Sequence, residues 1–165
     1  YLLLAFSPEN AFGHFLDNYF DIRLVFTFPG LVISSVLYSL PFMVQPVQSG
    51  FKSISQNIIN ASYTLGKSKF QTATQVILPN IKTALITGIV LSFAHTIGEF
   101  GVVLMVGGSI ESETKVVSIA IFDEVTAMNY HTANVYSLIL LVFSFVVLLS
   151  VYSINRRISK ISPLQ

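Results

Sequence analysis

An all-α membrane protein, a bundle of spanning helices joined by polar connections, is the fold this sequence predicts. Three observations predict it. Of the 165 residues, 53% are hydrophobic and only 10% charged, with a mean hydropathy of +0.71, whereas soluble domains carry about 25% charged residues. The apolar residues are gathered into stretches long enough to cross a hydrocarbon core of about 30 Å, which takes roughly twenty residues at 1.5 Å each. The charges are sorted by sign along the chain. The eight acids are Glu9, Asp17, Asp21, Glu99, Glu111, Glu113, Asp123 and Glu124, and all but Glu99 fall in the connections 7–23 and 107–131. The connection 45–82 carries Lys52, Lys67, Lys69 and Lys82, and the C-terminal tail carries Arg156, Arg157 and Lys160, both without an acid. Cationic short loops mark the cytoplasmic side. Loop 45–82 and the C-terminus are therefore expected inside and the acidic connections outside, and the parity agrees, since two spans separate the basic regions.

The elements follow in order. Residues 1–6 are apolar but too short to span, and carry no initiator Met or signal-peptide pattern; they read as the tail of an earlier spanning helix, which makes the chain a fragment whose first part is missing. Segment 7–23 offers Ser7 as an N-cap with Pro8 at the first helical position. Phe12, Phe15, Tyr19 and Phe20 then recur at helical spacing, the pattern of an interfacial helix with aromatics at headgroup depth. Spans are expected at 24–44, with Pro29 and Pro41 kinking or thinning it, at 84–106 and at 135–152. Between the last two, Gly107-Gly108 reads as a turn, and Val116, Ile119, Ala120 and Asp123 as a short amphipathic helix resting on the bundle. Cysteine is absent, which excludes disulfides and thiolate metal sites. No metal-ligand cluster, phosphate loop or nucleophile triad is visible, and nothing points to nucleic acid.

The basic connection is too long for a tight turn and is helical twice over. Ser53 with Gln56, and Ser68 with Gln71, have the spacing of capping boxes. Behind each start runs an apolar stripe, Ile54, Ile58, Ala61 and Leu65 in the first and Phe70, Ala73 and Ile77 in the second. Gly66 falls where a left-handed residue closes the first helix, and Pro79 where the second should end. One reading has such helices merely resting on lipid headgroups, to which lysines are drawn. Their polar faces, with Asn57, Asn60, Ser62, Thr64, Gln71 and Thr72, suit a hydrogen-bonded protein contact better.

"NASYTLGKSKFQTATQVILP" resembles the EAA loop of ABC-transporter permease subunits, whose pattern is Glu-Ala-Ala, three residues, Gly, nine residues, Ile, one residue, Leu-Pro. Ala61, Gly66, Val76, Leu78 and Pro79 stand at the family spacing, while Asn60 replaces the glutamate and Ser62 the second alanine. The flanking "IRLVFTFPGLVISSVLYSLPFMV" and "SFAHTIGEFGVVLMVGGSIESETKVVSIAIFDEV" resemble the molybdate permease subunits, and the sulfate permeases share much of the Gly-Glu-Phe-Gly region. The resemblance implies a type I ABC importer transmembrane domain whose cytoplasmic coupling helices, 53–79, fit a groove on an ATP-binding subunit. It further implies a homodimer in the lipid of a bacterial or archaeal inner (plasma) membrane, and a periplasmic or extracytoplasmic molybdate-binding protein outside. ATP and Mg²⁺ would be held by the partner ATPase and no cofactor by this chain, a non-catalytic permease. The substrate implied is an oxyanion, molybdate foremost, with tungstate and sulfate or thiosulfate as alternatives.

Glu99 is the one acid inside an apolar span, and intramembrane ionisable residues default to function. Ser92, His95, Thr96 and Glu99 share one helix stripe, which should face the bundle or a watery path. A carboxylate repels an oxyanion, so Glu99 is expected to accept hydrogen bonds from a neighbouring helix or the subunit partner and so fix a gate. The hydroxyls of Ser92 and Thr96 and the amides near Gly98 and Gly101 suit a passing anion better, with His95 assisting if protonated or simply packed as a hydrogen bonder. An ion-coupled secondary transporter, which usually carries several intramembrane charges, and a membrane anchor for a soluble enzyme are the rival classes.

Overall fold

The computed structural model describes residues 1–20 and 22–160, with side chains as far as Ser153. The charges assigned above to Asp21, Arg156, Arg157 and Lys160 lie outside the described side chains. Every regular element among the described residues is helical: α1 (Leu2–Phe6), α2 (Ala11–Phe20), α3 (Phe28–Ser53), α4 (Gln56–Thr64), α5 (Lys69–Thr72), a π-helical turn (Ala73–Ile77), α6 (Leu78–Asn80), α7 (Lys82–Gly98), α8 (Gly101–Gly107), α9 (Val117–Thr126) and α10 (Tyr130–Lys160). Two helices are long and apolar enough to cross a membrane, Phe28–Ser53 and Tyr130–Ser153; a third crossing results if Lys69–Asn80 and Lys82–Gly98, bent by 66° at their junction, form one span. The chain divides into two compact units, Tyr1–Ser39 with His95–Phe145, and Leu40–Ala94 with α10 from Val146 onward.

In the first unit, Phe6, Leu24 and Val106 form one buried cluster, and Leu31, Val103 and Ile119 another. The turn entering this unit's long helix departs from expectation, because α3 begins at Phe28 rather than at Leu24. Phe26 takes a left-handed conformation, φ +60°, and its N–H donates to the Val106 carbonyl at 2.7 Å, so the chain is pinned before the helix can start. Ser7 does not cap α2 either. It closes α1, its hydroxyl accepts from Glu9 N at 3.4 Å, and α2 waits until Ala11. The amphipathic helix expected after Lys115 is α9, with Ile119 fully buried against Leu31 and Val103.

In the second unit α3 runs on nine residues past the expected end at Val44. Pro41 and Pro46 sit inside it; each removes one ladder bond, which neighbouring structure can tolerate in a membrane helix. Small residues then let α3 approach α7. A Cβ at Gly88 would lie 2.7 Å from Met43 Sδ, and one at Gly50 2.6 Å from Ala84 Cβ, the close backbone packing that stands in for the hydrophobic effect between membrane helices.

Candidate functional site

The basic connection folds as a two-armed element within the second unit. Its first arm, α4, is capped by Ser55, whose side chain accepts from Asn57 N at 3.3 Å, and not by Ser53, which instead ends α3 and donates to the Gly50 carbonyl at 2.7 Å. The helix α3 reaches as far as Ser53, which leaves Ser55 as the first serine free to cap. Gly66 closes α4 at φ +77°, with open space where a Cβ would be. The Gly66 and Lys67 amides reach back to the Tyr63 and Ser62 carbonyls at 2.9 and 3.2 Å. The second arm starts with a reciprocal capping box: Gln71 N donates to Ser68 Oγ at 3.2 Å and Ser68 N to Gln71 Oε1 at 2.9 Å.

Pro79 does not end this arm. The turn before it widens, Leu78 N–H reaching back five residues to the Ala73 carbonyl, and the Asn80 side chain donates to the Val76 carbonyl at 2.7 Å. The helical path therefore passes the proline, which lacks only a donor, and bends at Ile81, which is 2% exposed. The faces of the two arms also differ from expectation. Ser62 and Thr72, read above as part of a polar contact surface, are buried against each other with hydroxyls 2.9 Å apart. Leu65 and Phe70, read as stripe residues, are 79% and 77% exposed. Asn60, Ala61, Leu78 and Pro79 are exposed, and Val76 is half-buried. The loop thus presents a mixed surface with an apolar tip around Gly66.

The second candidate site lies in the first unit. Gly98 ends α7, and α8 starts at Gly101, so the span expected at 84–106 is interrupted at Glu99 and Phe100. Two glycines within four residues of an apolar run were the available signal, since each lowers helix propensity by about 1 kcal/mol relative to Ala. Glu99 bridges the break. Its Oε1 accepts from Val102 N at 2.8 Å, and its carbonyl accepts from Ser118 Oγ at 3.0 Å. The expected acceptor role is therefore local: the carboxylate caps α8 and takes the amide beside Gly101 that sequence reasoning had offered to an anion. His95 Nε2 lies 3.9 Å from Glu99 Oε2. Ser39 Oγ lies 3.3 Å from His95 Nδ1 and 2.8 Å from Thr96 Oγ1, and the Tyr38 and His95 rings are 5.0 Å apart. His95, Thr96 and Glu99 are thus brought together; Ser92, with its hydroxyl buried, belongs to the other unit.

Sequence reasoning missed Ser39 and Ser118, and also Ser35, which with Thr96, Glu99 and Ser118 lines a cavity of about 190 Å³. Ser35 and Ser39 are four apart on α3 and both buried, a spacing that places them on one face and would have marked them. Above the break α9 is fixed by Lys115, whose Nζ lies 2.9 Å from Asp123 Oδ2, while Ser109 Oγ donates to the same oxygen at 3.0 Å. These bonds, the lysine's first, hold the Asp123 carboxyl below its ordinary value, and the Asp123 hydrogen bond raises Lys115.

A family profile described as "Binding-protein-dependent transport system inner membrane component" matches residues 2–160. The chain belongs to that family. As one of these permeases it is a membrane protein with the type I ABC importer transmembrane fold, and its family works with an ATP-binding subunit and a substrate-binding protein. It is 43% identical over 157 residues, 94% of this chain and 69% of the relative, to the molybdenum transport system permease protein ModB of Azotobacter vinelandii. It is 32% identical over 159 residues to the sulfate transport system permease protein CysT of Salmonella typhimurium, covering 96% of this chain and 57% of the relative. With the probable transport system permease protein NifC of Clostridium pasteurianum the figure is 30% over 150 residues, 91% and 52% of the two. The permease chain spans about two thirds of the first relative and a little over half of the other two.

Proposed function

We propose that this chain is the permease subunit of an ATP-driven importer for a tetrahedral oxyanion, molybdate foremost. The observation that carries the reading is the two-armed loop: a hinge at Gly66, an exposed apolar tip of Leu65 and Phe70, and a bend at Ile81 that joins the loop directly to α7. An apolar tip on a hydrogen-bonded scaffold suits a groove on an ATP-binding subunit, which would hold ATP and Mg²⁺ and do the hydrolysis. Asn60, Ala61, Ser62, Gly66, Val76, Leu78 and Pro79 would then serve coupling, some by contact and Ser62 from within. Two such subunits would form a homodimer carrying two ATPases, with the lysine-bearing loop and the C-terminus on the cytoplasmic side.

Transport would proceed by alternating access. ATP binding closes the ATPase pair, the loops move together, and the path opens toward an external binding protein that delivers the anion; hydrolysis resets it. Glu99 acts as a gate-fixing cap, and Ser92, His95, Thr96, Gly98 and Gly101 line or border the path, with hydroxyls rather than fixed cations keeping the anion weakly held. Molybdate is favoured over sulfate by 43% against 32% identity to the respective named permeases. The test is uptake of radiolabelled molybdate into vesicles carrying the full-length subunit, its ATPase and its binding protein. ATP-dependent uptake that excess sulfate leaves intact is the expected result. Uptake abolished by sulfate would assign sulfate as substrate, and uptake driven by an ion gradient without ATP would reject the importer class.

A further inference from the structure

The joint between the two arms of the loop is bare. Gly66 is left-handed with nothing within 4 Å of where a Cβ would stand, so no packing at the tip prevents the arms from opening. What holds them lies behind it. Ser62 on α4 is 4% exposed and Thr72 on α5 0%, and their hydroxyls meet at 2.9 Å across ten residues of chain. Two further links flank that pair, Lys67 N to the Ser62 carbonyl at 3.2 Å and Lys67 Nζ to Gln75 Oε1 at 2.9 Å. The lysine link is exposed, where such contacts are worth little. The buried pair is different, because each hydroxyl has only the other in place of water and separating them strands both.

We infer that Ser62 and Thr72 are a positioning pair, a buried clasp that makes α4, α5 and the π-helical turn one rigid lever. A push on the exposed tip then passes to the Ile81 bend and α7 instead of being spent in opening the hinge at Gly66. The inference rests on the coupling role proposed above, and it concerns residues that touch neither substrate nor ATPase.

These 165 residues hold no cysteine; with any thiol elsewhere in the full-length subunit and its ATPase replaced by serine, a spin-label pair at Gln56→Cys and Thr74→Cys reports the separation of the arms in the assembled complex. The pair is measured alone and with Ser62→Ala, Thr72→Val, both together, and Thr72→Ser. The double variant replaces both hydroxyls with apolar groups and so leaves no stranded donor, which keeps it foldable. Expected is one narrow separation in the parent and in Thr72→Ser, and a broadened one in the other three. In the same preparations without labels, molybdate carried per ATP hydrolysed should fall about threefold or more in those three, with the double variant no worse than either single, the non-additivity of a shared contact. Narrow separations in every variant would overturn the clasp. Broad separations with an unchanged transport ratio would overturn its positioning role. A parent that hydrolyses ATP without carrying anion would reject the coupling role of the loop itself, while the label separations still decide whether the clasp exists.

Discussion

Glu99 shows what a single carboxylate can do when a helix breaks beside it. The residue lies between α7 and α8, 12% exposed at its side chain, and spends one oxygen on the Val102 amide. A cap of this kind is worth about 1 kcal/mol in soluble helices, and an uncapped amide is harder to tolerate where water is scarce. Glu99→Gln keeps an acceptor oxygen and should retain most of the uptake rate; Glu99→Leu, of similar bulk and without an acceptor, should lose it. Equal loss in both, measured as initial uptake in vesicles, would show that charge matters and capping does not. Gly66 is the second residue whose geometry constrains sequence. At φ +77° a Cβ costs about 1–2 kcal/mol, and proline, fixed near −65°, cannot be accommodated. Gly66→Ala should weaken coupling moderately, whereas Gly66→Pro should abolish ATP-coupled transport with membrane insertion intact, read as transport against the amount of subunit in the membrane. Gly66 was legible from sequence because a helix-closing glycine is a local matter. The partners of Glu99 were not, since Val102 becomes a donor only once the helix has broken.

At the scale of elements, short-range signals were legible and choices between near-equivalent neighbours were not. The Ser68–Gln71 capping box needs only residues three apart, and it forms as the spacing predicts. Ser53 offered the same spacing and lost to Ser55, because the long helix before it runs past the expected end at Val44, through Pro41 and Pro46, as far as Ser53. The faces of α4 and α5 were misread for a related reason: a stripe of apolar residues predicts a buried face only if the partner surface is in the same chain. Here Leu65 and Phe70 face outward and two small hydroxyl residues take the inner side. The outer helix α9 is fixed partly by charge. Asp123, held below its ordinary value of 3.8, contributes stability above that pH and loses it as pH falls through its lowered value. Lys115, raised above 10.5, contributes below that pH and loses it as pH rises through its raised value. Amide protection across residues 109–126 should therefore be level between those limits and drop in acid. Asp123→Asn should remove the acid step, and an acid step that survives the substitution would assign it to another group.

Across the whole molecule, composition and charge sorting were enough to read a multi-span helical membrane protein, and the spacing of one loop was enough to read its family. The break within the expected span at 84–106 lay beyond a hydropathy reading, which averages over the two glycines that cause it. The orientation in the bilayer is open to a direct check, since these 165 residues contain no thiol and any in the rest of the subunit can be replaced by serine. A cysteine introduced at Glu111 should react with a membrane-impermeant maleimide in intact cells, and one at Lys69 only after permeabilisation. The reverse pattern would invert the assignment and place the lysine-bearing loop outside, away from any ATPase.

The length of α3 has a consequence of its own. Its 26 residues extend about 39 Å at 1.5 Å each, against a hydrocarbon thickness of about 30 Å. With α3 upright, the surplus would fall at the end that carries Gln45, Gln48, Ser49 and Lys52, side chains suited to water and headgroups. In an upright α3 the loop would be carried on a stalk whose height above the acyl chains is set by the lipids as much as by the protein. Longer acyl chains would draw the stalk inward and shorter ones would leave it proud, so lipid chain length becomes a dial on how far the loop can reach.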